Sequence, residues 1–241
     1  MATASRVTWS SSGRSETGNV RKVNEDACLN LGQSGIWAVA DGMGGHEAGD
    51  VASHAVIAAL SSVSPHSRPS VFVAHIEECL SQVNRELYDR SLNGGAGICG
   101  TTVAVLAAFD AFIVCLWAGD SRIYRRHDNA LELITRDHSK VREAIDKGRT
   151  GSTGALPASN IITRAVGGKA DLVLDLELRE ICDGDTYLIC TDGLYRALSD
   201  ADLASHLSKE PRAACNALLE QALQGPCDDN ATAVTIAFRR R

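Results

Sequence analysis

The stretch VADGMGGHEAGDVAS, residues 39 to 53, sets Asp41 directly behind an apolar run, follows it with three glycines in four residues, and only then takes up helical spacing. A strand at Ile36–Ala40 running into Asp41, and a helix from about Glu47 to Leu60 with Ala, Val and Ile at helical spacing, leave a carboxylate where the backbone turns. Gly42, Gly44 and Gly45 permit backbone conformations and close approaches that a Cβ forbids. DGMGG on its own is also compatible with an ordinary strand-to-helix turn.

The same context recurs along the chain. Asp120 follows the β-rich run AFIVCLWA, Asp192 follows YLICT, and Asp229 precedes the strand ATAVTIAF, residues 231 to 238. If these strands are neighbours, the carboxylates converge on one rim, where like charges force protons onto some of them unless cations neutralise the cluster. All-oxygen donors select hard ions such as Mg²⁺ or Mn²⁺, and no local His or Cys ligand pattern favours zinc. The glycines then allow the backbone to approach an ion closely enough for the Gly42 carbonyl to serve as a ligand.

The rest of the chain frames that rim. Strand-like runs flank Asp110, RIYRR and LELIT repeat the hairpin around HDN, and together they predict a meander. Helices are expected at Val71–Leu92, after a cap at Asp137 or Ser139, at Asp200–Leu207 and at Arg212–Gln224; strands are expected near Leu172–Leu178 and at Thr186–Cys190. Val7 and Trp9 read as a first strand rather than part of a transit peptide. Helices flanking grouped strands favour a layered α+β fold, and 241 residues suit a single domain over 1–241.

Composition narrows the class. No segment approaches the roughly 18 consecutive apolar residues of a membrane span, and the amino end lacks the apolar core of a secretory signal, so a cytoplasmic location without membrane contact is expected. A net charge of −6 argues against a broad nucleic-acid surface, and the Arg239–Arg241 run reads as a solvated chain end. The eight cysteines include no CxxC pair, which predicts buried free thiols in a reducing compartment rather than disulfides or zinc.

In series, RKVNED (21 to 26), VADGMGG (39 to 45), WAGDSR (117 to 122), ITRDHS (134 to 139), NIITRAVGG (160 to 168), LICTDGL (188 to 194) and DDNATAV (228 to 234) resemble the metal-dependent protein phosphatases of the PPM family, type 2C. DGMGGH is similar to the bacterial branch. The resemblance implies a four-layer α/β/β/α sandwich: two antiparallel sheets flanked by helices, with a two-metal site at one end, holding Mn²⁺ or Mg²⁺. By the same resemblance Asp41 would bridge both ions, with Glu25 and the Gly42 carbonyl on one and Asp192 and Asp229 on the other. Asp26 would orient a metal-bound water, and Arg21 would clamp the substrate phosphate with its guanidinium fork. Asp120 and Asp192 would hold a third, weaker ion.

The implied activity is hydrolysis of phosphoserine and phosphothreonine in proteins by in-line attack of a water bridging the two ions, with no covalent enzyme intermediate. Implied partners are phosphorylated proteins and a cognate serine/threonine kinase, as for stand-alone bacterial phosphatases that oppose membrane-anchored kinases, including those tied to type VI secretion. A monomer is expected. Met43 stands where eukaryotic members carry a histidine proposed as general acid, and His46 is only a weak substitute. Arg196 stands where some relatives place an acidic ligand for the third ion. Residues 149 to 160 occupy the place of a mobile flap loop. Ser121 and Arg122 are expected to brace the strand end beside Asp120, Asp137 to cap a helix, His138 to be an ordinary surface residue, Thr191 to support the site, and Asp228 to be a solvated neighbour of Asp229.

Overall fold

The computed structural model describes residues 7–44, 48–66, 68–93, 98–148 and 161–240. Among the described residues, eleven strands, numbered in chain order, pair antiparallel throughout. One sheet runs β1 (Val7–Glu16), β11 (Ala231–Arg240), β10 (Thr186–Cys190), β7 (Arg122–His127) and β8 (Ala130–Leu133). The other runs β2 (Asp26–Leu31), β3 (Ile36–Met43), β5 (Val103–Phe109), β6 (Phe112–Ala118) and β9 (Asp175–Glu180), with the short β4 (Gly100–Thr101) on the end of β3.

The central strands are apolar on both faces because both faces are covered. In β3, Ile36, Ala38 and Ala40 face α1 (Ala48–Ser61) and α2 (Pro69–Asn93), joining Leu60, Phe72, Ile76 and Leu80. Trp37 and Val39 face the other sheet, where Leu106, Ile113, Tyr187, Ile189, Val234 and Phe238 fill the space between layers. Edge-to-face rings lock this filling, with Trp37 at 6.1 Å and Tyr187 at 5.6 Å from Phe238. On the far side, α4 (Asp192–Ala197), α5 (Asp200–His206) and α6 (Pro211–Gln224) bury Leu194, Leu203, Leu218 and Leu219 against Leu188 and Tyr124. The layers are therefore helix, sheet, sheet, helix, as the resemblance implied.

Several local expectations need correction. The two hairpins do not form one meander: β5–β6 belongs to one sheet and β7–β8 to the other, and the chain changes sheets across Gly119–Ser121. β9 begins at Asp175 rather than Leu172, because Leu172 and Leu174 pack against the helix-side core before the alternating DLELRE run starts. Ser139, not Asp137, caps α3 (Lys140–Asp146), its Oγ accepting from the Arg142 N–H at 3.3 Å. β2 and α4 had no clear periodic signal; each is short and tied to the site. The expected flap at 149–160 and His46 lie outside the described residues. No helix among the described residues is long and apolar enough to cross a membrane.

Candidate metal centre

Antiparallel pairing decides where the acids go. β2 runs against β3, and β10 runs against both β7 and β11, so the carboxyl ends of β3 and β10 and the amino ends of β2, β7 and β11 share one end of the sandwich. Asp26 stands opposite Asp41 in the β2–β3 register. Asp120 sits in the crossing from β6 to β7, Asp192 opens α4 directly after β10, and Asp229 lies just before β11. Side chains alternate along a strand, so Asp41 continues the face of Trp37 and Val39, while Thr232 continues that of Val234 and Ile236. The filling between the sheets thus turns from apolar to acidic at this end.

Each carboxylate has a distinct setting. Asp26 is buried, and its Oδ2 accepts from the hydroxyls of Thr191 at 2.8 Å and Thr232 at 2.7 Å. Burial pushes its carboxyl up to about 7, with the two hydroxyls pulling the other way. Asp120 is also pushed up to about 7, by burial and then by Asp192, and its buried Oδ1 has no hydrogen-bond partner. Asp41 keeps partial solvent contact, yet burial and the charges of Asp26, Asp192, Asp120 and Asp229 raise it well above the usual carboxylate range. Burial likewise raises Glu25, opposed by Arg21, and Asp192, opposed by Arg196.

Hydrogen bonds hold the backbone around these groups. The Asp41 N–H donates to Thr102 Oγ1 at 3.0 Å, its carbonyl accepts from the Thr102 N–H and the Thr101 hydroxyl, and Thr102 Oγ1 meets Ser121 Oγ at 2.7 Å. Asn230 clamps the preceding loop: its Oδ1 accepts from the Glu25 N–H at 2.9 Å, and its Nδ2 donates to the carbonyls of Thr17 and Val23. Gly42 is pinned between elements, since a Cβ there would come within 2.1 Å of the Gly49 carbonyl and 2.6 Å of the Glu25 carbonyl. Arg21 bonds Asp229 Oδ2 at 2.9 Å, and Arg196 bonds Asp192 Oδ2 at 2.8 Å.

These residues fit hard divalent cations. The donors are oxygens, burial and then mutual repulsion raise their proton affinity, and the unpaired Asp120 oxygen offers an acceptor that a cation would satisfy. A sequence profile described as Protein phosphatase 2C matches residues 18–225. The chain belongs to the protein phosphatase 2C family.

Relatives within this phosphatase 2C family include the serine/threonine protein phosphatase PstP of Mycobacterium tuberculosis, 34% identical over 229 residues. That match takes in 92% of this chain, which spans 43% of the length of PstP. The Listeria monocytogenes serine/threonine phosphatase stp is 32% identical, with 82% of each chain covered. Among solved structures, PppA, described as a key regulatory component of T6SS in Pseudomonas aeruginosa, superposes with a TM-score of 0.91 at 37% identity, covering 98% of this chain and 100% of PppA. The catalytic domain of PstP, solved with two manganese ions, gives 0.86 at 31% identity, covering 97% of this chain and 99% of that one.

Around this phosphatase 2C centre, the structure gathers Arg21, Glu25, Asp26, Asp41, Gly42, Asp120, Asp192 and Asp229 at one end, while Asp228 is exposed. Arg122 does brace the strand end: its fork bonds Asp137 at 3.0 and 2.8 Å, and its guanidinium lies 3.8 Å from the centre of the Tyr195 ring on α4. His138 is not a surface residue. It is buried, stacks on Trp117, accepts from the Gly119 N–H through Nδ1 at 3.2 Å and meets Asp175 through Nε2 at 3.1 Å. Sequence reasoning also missed Thr232 and Asn230, although both stand in the DDNATAV motif that places Asp229.

Proposed function

We propose that the chain is a metal-dependent protein-serine/threonine phosphatase. The observation that carries this reading is the set of carboxylates from both sheets meeting at one rim, with Arg21 at its edge. Asp41 is central to that rim and would be shared by two ions, Glu25 and the Gly42 carbonyl serving one, Asp192 and Asp229 the other. Mn²⁺ or Mg²⁺ bound there would supply an activated water and neutralise charge on the phosphoryl oxygens. Asp26, fixed by Thr191 and Thr232, would orient the attacking water. Arg21 is half exposed and would turn from Asp229 to the substrate phosphate.

Arg196 already neutralises Asp192, which disfavours a strong third ion between Asp192 and Asp120. A groove of about 250 Å³ beside Met43, lined by Ile98, Arg164 and Lys169, would take residues flanking the phosphorylated side chain. Phosphoproteins are the natural substrates for such an open rim, and a serine/threonine kinase is the natural opponent. The likeness to PppA, a regulatory component of T6SS, favours a regulatory role of that kind, and the chain would act as a monomer.

Phosphate release from a phosphothreonine peptide and from p-nitrophenyl phosphate, each with Mn²⁺ and with EDTA, tests the reading. Metal-dependent turnover of the peptide is expected. Turnover confined to the small ester would make the chain a general phosphoesterase, and none on either would make it a silent binding protein.

A further inference from the structure

A second group of ligand-type side chains lies at the opposite end of the sandwich. His127 ends β7, while Cys182 and Asp185 flank the turn that joins β9 to β10. β7 starts at Arg122, beside the acidic rim, so the five-residue run to His127 carries the chain roughly 17 Å away. The ligand atoms of His127, Cys182 and Asp185 all lie within 4.8 Å of one another. Around a tetrahedral ion, such N, S and O donors sit about 3.3–3.6 Å apart. To reach that spacing the His127–Asp185 pair, now at 2.8 Å, would open slightly and the Cys182 sulfur would be drawn in.

We propose that His127, Cys182 and Asp185 form a separate metal site, suited to Zn²⁺ or Co²⁺ rather than Mn²⁺ or Mg²⁺. An imidazole, a thiolate and a single carboxylate make a borderline-soft set, which hard ions use poorly. The carboxylate is already held in place. Asp185 is fully buried, and its Oδ2 accepts from Arg125 at 2.7 Å and from the Cys182 N–H at 2.9 Å, so Oδ1 is the atom turned to His127 Nδ1, 2.8 Å away. An ion between Oδ1 and Nδ1 replaces that one hydrogen bond and leaves the Arg125 pair intact.

The imidazole is oriented from behind as well. Asp128 Oδ2, on an exposed side chain, lies 3.3 Å from His127 Nε2, a negative charge that favours the proton on Nε2 and leaves Nδ1 to an ion. His127 and Cys182 are both partly exposed, which gives an ion an entry path and leaves a fourth position for water. Bound there, the ion would tie the β7–β8 hairpin to the β9–β10 turn. The residues stand 55 positions apart in the chain, from His127 to Cys182, so no CxxC-like spacing announces them.

Co²⁺ titration of the full chain, with its acidic centre first saturated with Mn²⁺, tests the site by absorption rather than by activity. The expected result is a near-ultraviolet thiolate-to-cobalt band that saturates at one ion per chain, disappears on addition of Zn²⁺ and is lost in Cys182→Ser. Asp128→Asn, at an exposed turn, should keep the band. Absence of the band at millimolar Co²⁺, or a band unchanged in Cys182→Ser, overturns the proposal.

Discussion

At the scale of single residues, Asp192 and Asp26 divide the work of the acidic rim. Asp192 faces the other carboxylates from the first turn of α4, and Asp192→Asn keeps its shape while removing the charge. This variant should lose Mn²⁺-dependent turnover while its circular dichroism and cooperative unfolding stay native. Asp26 is different because it is held by Thr191 and Thr232. Thr232→Val removes one of the bonds that lower its pKa, so the acid limb of the kcat/KM profile should move to higher pH, and activity should fall about tenfold. Asp41, Asp120, Asp192 and Asp229 were legible in the sequence because each sits at the end of a strand-like run, whereas Glu25 and Asp26 entered only through the family resemblance of RKVNED. Thr232, Asn230 and His138 were not legible in this way. Their roles come from partners far away in the chain, such as Asp26 across 206 positions, and a threonine in a β-rich run looks like any other strand residue.

Among the elements, β3 and α1 meet backbone to backbone at their junction. The glycine run reads as room for the backbone to approach an ion; the structure also sets Gly42 against the Gly49 backbone, a contact that this reading does not include. Gly42→Ala should cost on the order of 3 kcal/mol, read as a lower midpoint in urea at unchanged slope. A normal midpoint would show that α1 can move aside. Strands with both faces covered were easy to locate from their continuous apolar runs, β5 and β6 among them. What periodicity could not show was the change of sheet at Gly119–Ser121, since a hairpin pattern says which strands pair within it and nothing about where the next hairpin goes. α4 was missed because six residues are too few for a helical repeat to register.

For the whole molecule, gathering carboxylates ties stability to protons and metal. Asp26 and Asp120 have folded pKa values near 7, above those of an unfolded chain. The folded state therefore binds more protons than the unfolded state between about pH 4 and pH 7, and the contribution of these groups to stability is full at the acidic side and lost as pH rises through 7. In EDTA, the melting temperature should be higher at pH 5.5 than at pH 7.5. Mn²⁺ should raise it at both, and more at pH 7.5, where protons no longer shield the cluster. Scanning fluorimetry at the two pH values checks this, and a metal-free chain that melts higher at pH 7.5 would contradict it.

Asp26 and Asp41 hang from one sheet, Asp192 and Asp229 from the other, and behind the Thr191 and Thr232 hydroxyls that join Asp26 to the second sheet, apolar filling holds the two sheets apart. That filling acts as a spacer whose thickness sets the bite of the centre, much as a shim sets the gap of a vice. Ile189 is buried in it one turn of the pleat before Thr191 and carries no ligand atom. Trimming it by one methylene in Ile189→Val should cost only about 1 kcal/mol of stability, yet change Mn²⁺ affinity measurably by calorimetry. Metal selectivity in this architecture would then be tunable from the interior, by residues that never meet an ion.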